Sequence, residues 1–106
     1  MTRRLLLLLG SLVFLPRSAP AAPVALAAVE DGFAPAEVEV VTGAAIQLAV
    51  TNHTQTAIEF ESYELNRERV IQPGQTVTIY LSALDPGRYA FFDDFHQERR
   101  GTLVVK

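Results

Sequence analysis

Two short stretches carry side chains able to do chemistry. One is Asp93-Asp94-Phe95-His96 near the end of the chain, and the other is Glu59-Phe60-Glu61. They offer carboxylate oxygens and one imidazole. Such donors suit Cu(II), Fe, Mn or Zn rather than Cu(I), and Cu(II) should bind tightest in the usual affinity order. The chain has no cysteine, and its one methionine is Met1. A blue-copper centre needs two imidazoles and a thiolate with a weak axial ligand, so that centre is excluded, as is redox disulfide chemistry. There is no nucleophile paired with a base, no phosphate-cradling glycine loop and no Ser-His-Asp set. The sequence therefore reads as that of a non-enzyme.

What these residues can do depends on which way they face. Asp93 has the parity of Tyr89 and Phe91, so it continues an inward face, where a carboxylate needs a partner or an ion. Glu59 and Glu61 share the face opposite Ile58 and Phe60. They are either ordinary solvated charges or ligands, and they reach His96 only near a sheet end or where twist or a bulge re-aims them. His96 is a ligand or a loop residue bonded to backbone. Asp94 is a ligand or simply solvated. His53 sits in a turn and faces solvent. Asn52-His53-Thr54 is a formal glycosylation sequon. Arg67-Glu68-Arg69 and Arg99-Arg100 read as solvated charge.

The elements that must position them are strands. Apolar residues alternate with polar ones at Val38/Val40, Ile46/Leu48/Val50, Ile58/Phe60, Val77/Ile79/Leu81 and Tyr89/Phe91, while Val24-Leu26 opens and Leu103/Val105 closes the series. Each pattern buries one face. Turn signals separate them: Asp31-Gly32, Thr42-Gly43, Asn52-His53-Thr54, Pro73-Gly74 and Asp85-Pro86-Gly87. Seven short strands with this punctuation predict an all-β sandwich or barrel. The charged stretch Ser62 to Arg69 reads as a loop or one helical turn.

Ahead of the strands lies a leader. Arg3 and Arg4 precede an apolar run, Leu5 to Leu15, and then Ser18-Ala19-Pro20-Ala21-Ala22. A positive start, a short apolar run and an A-x-A site form the secretory signal pattern, and the run is shorter than the ~20 apolar residues that span a membrane. The expectation is a signal peptide over 1–21, cleaved after Ala21 or Ala22, and one domain over 22–106. The product is placed in the periplasm or secreted, without a membrane span. Loss of Arg3, Arg4 and Arg17 leaves six basic residues against twelve acidic ones, near −6. That charge argues against a nucleic-acid partner.

The closing segment, Pro86-Gly87-Arg88-Tyr89-Ala90-Phe91-Phe92, a short loop with His96, then Gly101-Thr102-Leu103-Val104-Val105, resembles the final hairpin of plastocyanin-type cupredoxins. In that alignment Asp93 stands where the family has its cysteine, and His96 matches the histidine three residues on. Asp31-Gly32-Phe33, Pro35 and Pro73-Gly74-Gln75 extend the likeness. Ile58-Glu59-Phe60-Glu61 with Glu68, Val70-Ile71 and Pro73-Gly74 is similar to the cupredoxin-like domain of bacterial periplasmic iron-uptake (EfeO-type) proteins. The resemblance implies a seven-strand Greek-key β-sandwich. It also implies a site for Cu(II) or Fe built from Glu59, Glu61, Asp93, Asp94 and His96, with no blue-copper centre. The implied partners are the metal ion and a membrane iron or copper permease or another periplasmic protein. The alternative is a metal-free interaction domain on the same scaffold.

Overall fold

The computed structural model describes residues 22–106, so the expected signal peptide, 1–21, lies outside the described residues. Nine strands make two layers: β1 (Val24–Val29), β2 (Gly32–Ala34), β3 (Glu37–Val40), β4 (Ile46–Asn52), β5 (Ile58–Ser62), β6 (Arg67–Ile71), β7 (Thr76–Leu81), β8 (Gly87–Asp93) and β9 (His96–Val105). The front sheet has the order β2-β1-β4-β7 and the back sheet β3-β9-β8-β5-β6. The chain changes layer after β2, β3, β4, β6 and β7, and two pairings, β1 with β4 and β3 with β9, are parallel. Among the described residues no helix is long and apolar enough to cross a membrane.

The seven expected strands are present, and two short ones correct the count. β2 has three residues and needs only the two-residue Glu30-Asp31 turn to pair back on β1. β6 corrects the loop or helical turn expected at Ser62 to Arg69. Only Tyr63 to Asn66 form the turn, with Asn66 at φ +53°, and the chain then returns as an edge strand. β6 escaped the periodicity test because only Ile71 of its residues is buried. An edge strand gains from solvated charges that discourage further pairing.

The core lies between the sheets. Leu26 and Ala28, Ile46, Leu48 and Val50, and Val77, Ile79 and Leu81 from the front meet Val38, Ile58, Phe60, Phe91, Leu103 and Val105 from the back. Phe91 stacks on Phe60 at 5.2 Å between ring centroids and meets the edge of Phe33 at 5.0 Å. Gly101, paired with Phe91, makes this possible, because a Cβ there would lie 2.3 Å from the Phe91 ring.

One end of the sandwich is braced by Asn52, which is fully buried. Its amide donates to the carbonyls of Thr56 and Ile71, and its Oδ1 accepts from the N–H and hydroxyl of Thr54. The sequon asparagine is thus a cross-brace between loops. That end carries the candidate residues.

Candidate metal and ion-pair sites

The five expected ligands fall into two groups. The hairpin joining β8 to β9 divides them. From Gly87↔Val105 to Phe92↔Arg100 the two strands run in one register, and Asp93 then pairs with His96 across the Asp94-Phe95 turn. Gln97, Glu98 and Arg99 are the residues left over, and they bulge. Continued without the shift, the register would set Arg99 opposite Asp93, both with inward parity.

Asp93 is 0% exposed. Its Oδ1 accepts from the backbone N–H groups of Glu59 and Phe95, each at 3.0 Å. Its Oδ2 accepts from Arg99 Nη1 at 3.1 Å. Arg99, 4% exposed, donates through Nε to the Glu30 carbonyl at 3.1 Å and through Nη2 to Glu30 Oε2 at 3.0 Å. The partner that an inward carboxylate requires is therefore a guanidinium. The reading of Arg99 as solvated charge is corrected: it shares the inward parity of Gly101 and Leu103, and Asp93 and Glu30 hold it there. His96 stands beside this pair. Its Nδ1 lies 3.4 Å from Asp93 Oδ2, and that nitrogen is buried with no hydrogen-bond partner.

Glu59, Glu61 and Asp94 form the other group. Glu59 and Glu61 point out of the back sheet, while Ile58, Phe60 and Ser62 point in. Asp94 is tethered to them by its backbone N–H, which donates to the Glu59 carbonyl at 2.9 Å. One carboxylate oxygen from each of the three lies within 4.8 Å of the others. Desolvation raises the Glu59 carboxyl above its ordinary value, helped by the hydrogen bond to Glu61 and by the charges of Asp94 and Glu61. Glu68, opposite Glu61 on β6, is raised chiefly by the charge of Glu59. Sequence reasoning treated Glu68 as plain surface charge. Counting the β5–β6 hairpin outward from its turn, Ser62↔Arg67 and then Glu61↔Glu68, would have found it.

Asp93 and His96 thus stand apart from the outer cluster. The expected single convergence does not form because adjacent residues Asp93 and Asp94 serve opposite sides of the back sheet. His53 is exposed, as expected, and Arg100 lies over the Phe92 ring at 5.5 Å.

Known proteins resemble this chain at two levels. The family model described as "Cupredoxin-like domain" matches residues 4–105. A Rickettsia prowazekii (strain Madrid E) protein, RP394, of uncharacterized function, is 40% identical over 74 residues, and the match takes in 69% of this chain and 59% of that protein. The metal-binding domain of the Streptococcus pneumoniae D39 Cu(I)-exporting P-type ATPase superposes with a TM-score of 0.68 at 16% identity, over 79% of this chain and 84% of that one. Amicyanin from Paracoccus versutus gives 0.62 at 17% identity, over 84% and 86%. At such identities the structural likeness speaks for the fold.

Proposed function

Because this chain belongs to the cupredoxin-like domain family yet has no cysteine, we propose that it is an exported, periplasmic metal-binding protein that holds a divalent ion on carboxylates. The observation that carries this reading is the approach of Glu59, Glu61 and Asp94 oxygens to within 4.8 Å of one another. Like charges this close repel one another, and a cation among them relieves the repulsion. A blue-copper centre does not fit the residues. The cysteine position holds Asp93, whose oxygens already accept two backbone N–H groups and a guanidinium. The candidate ions are Cu(II) and Fe, with Cu(II) the tighter binder of the two as divalent ions in the usual affinity order. The leader supports export. The likeness to iron-uptake domains supports delivery to a membrane iron or copper permease. The reading is of a binding protein and not of an enzyme.

Equilibrium dialysis of residues 22–106 against Cu(II) and against Fe, followed by metal analysis, tests it. One ion per chain should be retained, and the variant carrying Glu59→Gln, Glu61→Gln and Asp94→Asn should retain none. A second reading, a metal-free interaction domain, is favoured by the ion pair that fills the buried end of the sandwich. It stands if the unaltered chain retains no ion.

A further inference from the structure

The group around the buried Asp93–Arg99 pair has the composition of a metal site but already contains a cation. Asp93 Oδ2 has Arg99 Nη1 at 3.1 Å and His96 Nδ1 at 3.4 Å, and Glu30 Oε2 is 3.0 Å from Arg99 Nη2. Two carboxylates therefore hold the guanidinium, and one imidazole nitrogen stands beside the buried one of them. We infer that Arg99 is the resident cation of a latent metal pocket. It takes the charge and the hydrogen-bonding place of an ion among Asp93, His96 and Glu30. This end of the sandwich refuses metal while Arg99 is in place and accepts one when it is removed.

Two independent observations carry the inference. The first is charge. A carboxylate at 0% exposure is retained only with a compensating partner, and Arg99 is that partner. A divalent ion at Asp93 Oδ2 would sit within a few ångströms of a guanidinium that has almost no water to screen it, so ion and guanidinium exclude one another. The second is the His96 Nδ1 atom, which is shielded from solvent and has no hydrogen-bond partner. Buried polar atoms are nearly always satisfied. An imidazole nitrogen beside a carboxylate oxygen is a donor set that copper and zinc accept.

The test is a Cu(II) titration read by pulsed electron paramagnetic resonance. The background is His53→Gln, which leaves His96 as the one imidazole in residues 22–106. With Arg99 present, no imidazole-nitrogen coupling should appear, whatever the outer carboxylates bind. With Arg99→Ala, one imidazole nitrogen should couple to the copper. One further ion per chain should be retained, at least tenfold more tightly than any ion at this end of the Arg99-containing chain. Adding His96→Gln should remove both changes. Arg99→Gln, which keeps a donor toward Asp93 without the charge, should behave as Arg99→Ala does. A variant that folds only with Cu(II) or Zn(II) present supports the inference equally, because the ion has then taken the place of Arg99. Imidazole coupling with Arg99 intact overturns the inference. So does a folded Arg99→Ala or Arg99→Gln chain without coupling, and so does failure of both variants to fold with or without ion. The outer site is scored separately, since its carboxylates give no nitrogen signal.

Discussion

Asp93 and Asp94 are neighbours in sequence. The first is wholly buried, with two backbone N–H groups on one oxygen and a guanidinium on the other. The second lies at a turn, where its carboxylate meets those of Glu59 and Glu61 and accepts a hydrogen bond from Gln97. The buried region has its countercharge built in, while the outer region gathers like charges. The difference teaches where a carboxylate stabilises this fold and where it stores repulsion that a ligand can relieve. Burial alone does not decide this, since Glu59 is also partly shielded. The presence of a protein cation within reach does.

The strongest way to break this comparison is to neutralise the two aspartates separately. Asp93→Asn leaves Arg99 without its charge partner, and breaking a buried pair from one side costs roughly 3–5 kcal/mol. With the remaining amide still able to accept a bond, about 3 kcal/mol is expected, a fall in melting temperature of about 12–24 °C for a domain of this size. Asp94→Asn should leave the melting temperature unchanged or raise it. Equal effects in calorimetry would show that the two environments do not differ in the way described.

Ion addition should separate the regions in the opposite direction. An ion at a hundredfold excess over its dissociation constant adds ~2.7 kcal/mol, or a rise of about 10–20 °C. Asp94→Asn should abolish most of that rise, whereas Asp93→Asn should keep it on its lowered baseline. A thermal-shift series with Fe and Cu(II) checks both arms. Loss of the response in Asp93→Asn alone would move the ion to the buried end.

The smallest expected effect is in the pH dependence. Glu59 and Glu68 have folded-state pKa values raised above the ordinary 4.5. A raised carboxyl binds its proton more tightly in the folded chain. Its contribution is fully present below the unfolded value and is lost as pH climbs through the folded one. Between roughly pH 4.5 and the raised values, the unaltered chain should therefore lose stability relative to Glu59→Gln, and above that window the gap should stay constant. Denaturant melts of the pair across this range measure it, and a gap that shrinks with rising pH would contradict the repulsion.

Much of the fold was legible because alternation survives wherever one face is buried. Val77, Ile79 and Leu81 declare themselves, and so do Ile46, Leu48 and Val50. β6 was not legible, because a charged edge strand with one buried residue has no alternation to detect. In the candidate sites, the inward parity of Asp93 and its need for a partner could be read from Tyr89 and Phe91. The identity of the partner could not, because parity along one strand says nothing about the facing strand. Register supplies that, and the clue was Gly101. Phe91 requires a glycine beneath its ring, and the register that pairs the two, carried on by two residues, would point from Asp93 to Arg99, although the bulge finally pairs Asp93 with His96. The outer cluster was half legible: Glu59 and Glu61 share a face, but Asp94 joins them only through a backbone bond across the turn, which no side-chain pattern encodes.

The hold of Arg99 on Glu30 has a kinetic side. It joins the turn after the first strand to the start of the last, 69 residues apart in the chain, and Glu30 Oε1 also accepts from the backbone of Gln55 in the β4–β5 loop. Contacts of such separation close the largest loops and are slow to form, so this end should be completed late in folding. Once made, the tie joins β1, β5 and the last hairpin into one cooperative opening unit. The amide protons of Glu59 and Phe95, both held by Asp93 Oδ1, should exchange with solvent together rather than one by one.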